Sequence, residues 1–158
     1  MLKRILLIAA LCFAAAAQAQ VRVGEAVPSF DTRLLDGKTL STQALKGKAV
    51  LVVFWATWCP SCQKELPELQ QLYDKHRARG FEILALSVDA DAFTVEEFWK
   101  DHDYGFAAAM RAPQHAKIFG GIRGTPTLFL LDRQGVLRMA HMGALGMRQL
   151  EEKLLPLL

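Results

Sequence analysis

Cysteine is scarce in this chain, with three residues among 158. One of them, Cys12, lies in an apolar N-terminal run, so Cys59 and Cys62 are the pair left for the body of the protein. A pair this close in sequence closes a very small loop and contributes little as a structural crosslink. The sequence therefore excludes a fold held together by a disulfide framework. The chain is long enough to bury a hydrophobic core in one domain without one.

An excess of charge is also lacking. The 19 lysines and arginines outnumber the 16 acidic residues by only three. Two of the basic residues, Lys3 and Arg4, precede the apolar N-terminal run, and without them the formal net charge falls from +3 to +1. Such a small excess predicts no nucleic-acid partner.

Long hydrophobic runs are missing as well, and this argues against a membrane-spanning helix. The apolar run over residues 5–17 is too short to span comfortably, and Ala17-Gln18-Ala19 puts small residues at the −3 and −1 positions of a cleavage site. We interpret residues 1–19 as a signal peptide cut before Gln20, which predicts a periplasmic domain over residues 20–158. An uncleaved N-terminal membrane anchor is the alternative.

The rest of the sequence alternates between strand-like and helix-like segments. Asp36-Gly37 is a strong hairpin signal, and the apolar run over residues 50–55 is typical of a central strand covered on both faces. Thr94 is predicted to cap a helix, with Glu97 completing a capping box. This order predicts an α/β fold with a mixed sheet. The predicted strands are 30–35, 38–40, 50–55, 81–88, 107–110, 127–131 and 136–141, and the predicted helices are 63–78, 94–102, 114–119 and 146–155.

Cys59 and Cys62 lie at the turn between a predicted strand and a predicted helix, on either side of Pro60-Ser61. The backbone N–H groups and dipole of a helix N-terminus stabilise a thiolate placed there. A Cys59 thiolate would attack a substrate disulfide, and Cys62, one turn deeper on the same helix face, would then attack Cys59 and release the reduced substrate. A zinc site is disfavoured, because there is no second CxxC motif and no histidine close in sequence.

Three other groups of residues have two interpretations each. Glu65 follows Cys62 by one helical step, and it is either a solvated helix glutamate, which periodicity favours, or a partly buried acceptor of the Cys62 proton. Thr125-Pro126 precedes a predicted strand, where a cis bond is plausible although trans proline is far commoner. Three methionines and one histidine near the C-terminus indicate either a copper site or, more simply, packing of the strand and helix that carry them. These residues are Met139, His141, Met142 and Met147. The other histidines, His76, His102 and His115, are predicted to lie on the surface.

Two segments together resemble the thioredoxin superfamily: residues 55–62, with the sequence WATWCPSC, and residues 121–127, with the sequence GIRGTPT. The leading Gly24-Glu25 with Pro28 and Phe30, the Leu35-Asp36-Gly37 turn and the Cys62-x-x-Glu65-x-Pro67 spacing resemble the exported TlpA/ResA-like branch. The likeness extends from about Gly24 to the C-terminus. It implies a thioredoxin fold with an N-terminal β-hairpin, a central helix-containing insertion and a mixed central sheet flanked by helices.

The resemblance also implies roles for individual residues. Cys59 would be the nucleophile and Cys62 the resolving thiol of a redox-active disulfide, with Glu65 as the active-site glutamate. Pro126 would be a cis-proline facing the dithiol, and the Thr125 backbone would pair with a bound substrate strand. Trp58 and Pro60 would flank the substrate. The resemblance implies no cofactor.

The functions that the resemblance implies are those of a periplasmic or membrane-tethered reductant. Such proteins reduce disulfides of exported partners, in some cases apocytochrome c, and draw electrons from a membrane thiol-disulfide reductase. The chain departs from thioredoxin itself by having Val53 where a buried aspartate is expected and Pro60-Ser61 in place of Gly-Pro. A disulfide-donating oxidase or isomerase and a non-catalytic binding module are the alternatives. A peroxidase is disfavoured, because Ala56 occupies the position of the required threonine.

Overall fold

The structure is a computed structural model, and it describes residues 20–158, so the predicted signal peptide lies outside the described residues. The strands are β1 Asp31–Arg33, β2 Thr39–Ser41, β3 Ala49–Trp55, β4 Phe81–Ser87, β5 Ala107–Met110, β6 Thr127–Leu131 and β7 Leu137–Met142. The helices are α1 Pro60–His76, α2 Ala92–His102, α3 Pro113–Phe119 and α4 Met147–Leu154. None of the helices within residues 20–158 combines the length and apolar character needed to cross a bilayer.

A five-stranded mixed sheet, in the order β5-β4-β3-β6-β7, forms the centre of the fold. The central strand β3 runs parallel to β4 and antiparallel to β6. Every residue of β3 is buried, as its uninterrupted apolar sequence predicts for a strand covered on both faces. The fold is thus the predicted mixed α/β sheet with flanking helices and an N-terminal hairpin.

Alternate residues of β3 point to two separate hydrophobic clusters. Val53 and Trp55 belong to the cluster beneath α1, α2 and α4, which also contains both cysteines and is called the dithiol face below. Val52 and Phe54 belong to the cluster beneath α3 and the β1-β2 hairpin, called the hairpin face. The sheet therefore separates the dithiol from the N-terminal hairpin.

The N-terminal segment covers part of both edges of the sheet. Gly24 N–H donates to Leu137 O at 2.8 Å, and Leu137 N–H donates to Glu25 O at 2.9 Å, beside β7. At the opposite edge, Leu35 N–H donates to Ala108 O of β5 at 2.9 Å. Covered edges leave fewer backbone groups free to pair with other chains.

Helix α1 begins at Pro60, three residues before the predicted start. Proline fits the first turn of a helix, because its missing N–H has no intrahelical partner there and its φ angle is already helical. Cys59 is the N-cap residue, with φ −92° and ψ 108°. Cys62 consequently lies inside the first turn of the helix.

The predicted cap of the second helix is wrong. Helix α2 begins at Ala92, and its N-cap is Asp91 rather than Thr94. The Asp91 carboxylate accepts the N–H of Phe93 at 3.3 Å and the N–H of Thr94 at 2.9 Å. The same carboxylate accepts a hydrogen bond from the Thr94 hydroxyl at 2.6 Å. Thr94 is therefore bound by the N-cap residue and is not the N-cap itself.

The prediction of surface histidines holds for His102 and is wrong for His76 and His115. His76 is buried at the end of α1, and its Nε2 lies 2.5 Å from Glu151 Oε1 of α4. His115 is fully buried on the hairpin face, where its Nδ1 accepts the N–H of Ala112 at 2.9 Å. Each ring is covered by a segment remote from its own helix, which local periodicity does not reveal.

Candidate active site

The dithiol lies where the carboxyl end of β3 meets the start of α1. Cys59 and Cys62 form a disulfide, and their Cα atoms are 5.3 Å apart. The N–H of Cys62 donates to Cys59 Sγ at 3.2 Å, so the N-cap sulfur receives a donor from the helix N-terminus. Cys59 is 5% exposed and Cys62 is 1% exposed. Cys59 is therefore the more accessible sulfur and the one that the helix N-terminus stabilises as a thiolate.

A second segment reaches the dithiol from the far side of the sequence. The Thr125–Pro126 peptide bond is cis, which confirms the geometry that the resemblance implied and corrects the commoner trans expectation. Thr125 O lies 3.5 Å from Cys59 Sγ. A disulfide sulfur carries no hydrogen, so this is a contact that becomes a hydrogen bond only when Cys59 is a thiol. Gly143 N–H holds the segment by donating to Pro126 O at 2.8 Å.

Glu65 is buried, with only 4% of its surface exposed. Its Oε1 accepts the N–H of Leu145 at 2.9 Å, and its Oε2 has no hydrogen-bond partner within residues 20–158. Burial raises the pKa of Glu65 from 4.5 to about 7; the hydrogen bond from Leu145 opposes the shift, and the negative charge of Glu68 adds to it. The solvated interpretation that periodicity favoured is wrong. Glu65 is one helical step from Cys62, on the same face of α1.

No other buried carboxylate of residues 20–158 is near the dithiol. Val53 lies in the core, so β3 supplies no acid. Asp132, the second buried carboxylate, follows the residue of β6 that pairs with Val50, at the opposite end of β3 from the cysteines. It is fully engaged there by the N–H groups of Gln134 and Val136 and by the Arg138 guanidinium. Glu65 is thus the buried carboxyl group that lies one helical step from Cys62 on α1.

The residues around Cys59 present an accessible surface. Trp58 is 67% exposed, and Pro60 is also exposed. Both residues adjoin Cys59 in sequence, and Thr125 contacts its sulfur from a remote part of the chain. The structure therefore brings Thr125 against Cys59, and it places Trp58, Pro60 and Cys62 at the start of α1.

The comparisons with known proteins agree with this arrangement. The sequence model described as Redoxin matches residues 22–154. This chain belongs to the Redoxin family. Among its relatives, the thiol-disulfide oxidoreductase ResA of Bacillus anthracis is 36% identical over 134 residues, which cover 84% of this chain and 76% of that protein. ResA of Oceanobacillus iheyensis is 31% identical over 156 residues, which cover 93% of this chain and 81% of that protein.

Solved structures of the same kind share the fold of this Redoxin-family chain. A thiol:disulfide interchange protein of the thioredoxin family from Chlorobium tepidum TLS aligns with a TM-score of 0.77 and 31% identity, covering 88% of this chain and 99% of that chain. StoA from Bacillus subtilis aligns with a TM-score of 0.69 and 28% identity, covering 80% of this chain and 96% of that chain. The chain is a thiol-disulfide oxidoreductase of the TlpA/ResA-like thioredoxin superfamily.

Asp89 is a residue near the site that was not among the residues singled out from the sequence. Its carboxylate accepts the N–H of Thr57 at 3.0 Å and the hydroxyl of Thr57 at 2.7 Å. A signal was present in the sequence. The carboxyl ends of the parallel strands β3 and β4 meet at one edge of the sheet, so polar residues that follow them come together.

Within residues 20–158, there is no group of three or more His, Cys, Asp or Glu side chains that could hold an ion. Of the late residues considered for copper, Met139 packs against the dithiol face, whereas Met142 is exposed at the end of β7.

Proposed function

We propose that this oxidoreductase reduces disulfides of exported partner proteins through Cys59 and Cys62. The observation that carries the proposal is the position of Cys59 Sγ, which receives the Cys62 N–H at 3.2 Å and lies 3.5 Å from Thr125 O. The first contact stabilises a thiolate on Cys59, and the second brings this sulfur against a backbone segment suited to pair with a substrate strand.

The first step is attack by the Cys59 thiolate on one sulfur of a substrate disulfide. A bond forms between Cys59 and that sulfur, the substrate disulfide breaks, and the second substrate sulfur leaves as a thiolate that takes a proton from water. The product is a mixed disulfide between the substrate and Cys59. The N–H of Cys62 stabilises the charge on Cys59 before the attack.

The second step releases the substrate. The Cys62 thiol gives its proton to the Glu65 carboxylate, and the resulting thiolate attacks Cys59. The Cys59–Cys62 disulfide forms as the bond between Cys59 and the substrate breaks, and the substrate sulfur leaves as a thiolate that takes a proton from water. Because burial raises the pKa of Glu65 to about 7, the group exchanges protons readily at neutral pH. Two electrons pass from the dithiol to the substrate, and an external reductant must restore them.

The surface around Cys59 supports a protein substrate. In this proposal, an extended partner segment pairs with the Thr125 backbone and places its cysteine opposite Cys59. Pro126 holds Thr125 in place, and the exposed Trp58 and Pro60 flank the segment. The exposed indole of Trp58 offers a large apolar contact for such a partner.

The N-terminal sequence supports an extracytoplasmic place of action. Residues 1–19 would direct export and be removed before Gln20, leaving the thioredoxin-like domain in the periplasm. The electron donor would be a membrane thiol-disulfide reductase, and apocytochrome c is one candidate substrate. The relatives named thiol-disulfide oxidoreductase ResA support this class of reaction. A mass measurement of the mature protein tests the cleavage, since an intact N-terminus would contradict it.

The experiment that tests the function is the trapping of substrates in the host. Cys62→Ser leaves Cys59 able to form the mixed disulfide but removes the thiol that resolves it. We expect partner proteins to accumulate as mixed disulfides on Cys62→Ser. The double variant Cys59→Ser/Cys62→Ser is the matched control and should trap none. If the wild-type protein reduced insulin no faster than Cys59→Ser, the dithiol would not be catalytic and the protein would act as a binding module instead.

The direction of electron flow is tested by the reduction potential of the Cys59–Cys62 pair in glutathione buffers. We expect a value below about −200 mV, as for reductants of this fold. A value close to about −120 mV, typical of a strong disulfide donor, would favour the oxidase or isomerase alternative.

A further inference from the structure

Thr57 lies between the end of β3 and Trp58, and all of its polar groups are held by side chains from other elements. Its N–H and hydroxyl both donate to Asp89, at 3.0 Å and 2.7 Å. Its carbonyl accepts the Gln63 Nε2–H at 2.5 Å from the first turns of α1. This short segment is therefore fixed from both sides.

Asp89 is itself held in place by the sheet. The Ser87 hydroxyl donates to Asp89 Oδ2 at 2.6 Å, and the Asp89 N–H donates back to Ser87 Oγ at 3.0 Å. Ser87 is the fully buried last residue of β4, and its carbonyl accepts the N–H of Arg111 at 2.7 Å. The Asp89 carboxylate thus connects Thr57 to the rigid centre of the fold.

This connection matters for Trp58, the next residue. With 67% of its surface exposed, Trp58 makes too few contacts for packing to fix its position. Its backbone is constrained by Thr57 on one side and by Cys59, the N-cap of α1, on the other. The contacts of Thr57 with Asp89 and Gln63 accordingly fix the backbone from which the indole extends.

We propose that Asp89 is a positioning residue, which acts through Thr57 to hold Trp58 beside Cys59 in the geometry that a protein partner requires. The inference rests on the proposed function in that the partner is a protein with a cysteine in an extended segment. A small disulfide reaches Cys59 without contacting Trp58, so its reaction does not depend on these contacts of Thr57. Asp89 thereby favours protein substrates over small thiols and disulfides.

The test compares two reactants on the same variants. Thr57→Val removes the hydroxyl donor to Asp89 at nearly constant shape, and Thr57→Ser retains it as the matched control. The reactants are an apolar peptide carrying one cysteine, and glutathione, each reacting with the Cys59–Cys62 disulfide. We expect Thr57→Val to slow exchange with the peptide about tenfold, through weaker peptide binding, and to change exchange with glutathione less than about twofold. Thr57→Ser should behave as wild type with both.

A second variant and a second measurement separate positioning from stability. Asp89→Asn removes the charge at constant size and should show the same selective loss. Hydrogen exchange of the Trp58 amide should accelerate in Thr57→Val and Asp89→Asn but not in Thr57→Ser. Equal slowing with the peptide and glutathione, or unchanged rates with both, would overturn the inference. In this test the peptide and glutathione reduce the Cys59–Cys62 disulfide of the protein. A reduction potential typical of an oxidant would therefore refute the proposed function but would leave the comparison of peptide with glutathione unchanged.

Discussion

Glu65 and His115 are buried on opposite faces of the same sheet, and their surroundings are similar. Each accepts one backbone N–H, from Leu145 in the first case and Ala112 in the second. Each has a second polar atom, Glu65 Oε2 or His115 Nε2, without a hydrogen-bond partner in residues 20–158. Burial raises the pKa of Glu65 to about 7, whereas burial, together with the charge of Arg111, lowers the pKa of His115 to about 4.

The same physical effect therefore has opposite chemical results on the two faces. Burial penalises the charged form, which moves an acid into the neutral range and a base out of it. Burial moves the pKa of Glu65 to about 7, where a carboxyl group can exchange a proton at neutral pH. His115 stays a neutral ring, packed edge-on against Phe30 with their centroids 5.0 Å apart. Of these two groups, only Glu65 has a pKa in the neutral range.

The largest expected effect is on the free energy of unfolding as a function of pH. The raised pKa of Glu65 means that stability present below pH 4.5 is lost as the pH rises towards 7. The lowered pKa of His115 means that stability present above pH 6.5 is lost as the pH falls towards 4. Each pKa shift corresponds to about 3 kcal/mol of unfolding free energy. Between pH 4.5 and 6.5, the two groups change this free energy with pH in opposite directions.

Single variants should separate the two slopes. In Glu65→Gln, the His115 slope is no longer opposed, so stability should rise with pH across this window relative to wild type. In His115→Asn, which keeps a hydrogen-bond acceptor, stability should fall with pH relative to wild type. Urea unfolding at several pH values measures both. If the unfolding free energy of a variant changed with pH in parallel with that of the wild type, the buried group replaced in that variant would not titrate as described.

The next effect is on the chemistry of the site. Glu65→Gln removes the acceptor of the Cys62 proton, and we expect resolution of the mixed disulfide at pH 7 to slow by about 10²-fold. Stopped-flow measurement of substrate release from Cys59 would show it. His115→Asn, the control on the other face, should change this rate less than about twofold. A similar slowing in both variants would mean that lost packing, not lost proton transfer, is responsible.

Reduction of the disulfide should affect the two buried groups unequally. A thiolate in the reduced pair adds a negative charge on the Glu65 side of the sheet, which should raise the pKa of Glu65 further, by about one unit. The pKa of His115, shielded by the sheet, should stay the same. NMR titration of the side chains in both redox states measures each shift, and an unchanged Glu65 would contradict its coupling to the dithiol.

The smallest effect concerns the exposed Glu68, whose negative charge contributes to the raised pKa of Glu65. Glu68→Gln should lower the pKa of Glu65 by a few tenths of a unit, since an exposed charge is screened by solvent. Glu96→Gln, an exposed substitution on α2, is the matched control and should leave it unchanged. Equal shifts in the two variants would indicate a general charge effect rather than a local one.

Much of the fold could be predicted from sequence because its signals are local. The apolar run of β3, the Asp36-Gly37 turn and the helical spacing of leucines in α1 each fix an element without reference to the rest of the chain. The boundaries were less accurate where two residues compete for one role. Asp91 and Thr94 are both good caps, and the chain used the earlier one.

The burial of single polar residues could not be predicted in the same way. Periodicity tells which side of α1 Glu65 occupies, but not that a segment 80 residues later covers it. His76, covered by α4, and His115, covered by Phe30, were missed for the same reason. For Glu65, only the resemblance to a family supplied the missing information.

The contacts that complete the dithiol are remote in sequence. Cys59 meets Thr125 across 66 residues, and Glu65 meets Leu145 across 80. Contacts of such separation require long loops to close. A chain that has not yet assembled its last third therefore carries two cysteines without the contact of Thr125 with Cys59 and without the hydrogen bond of Leu145 to Glu65. Its reactivity at Cys59 is acquired together with the native state, so that a folded protein is also the first one able to perform selective disulfide exchange.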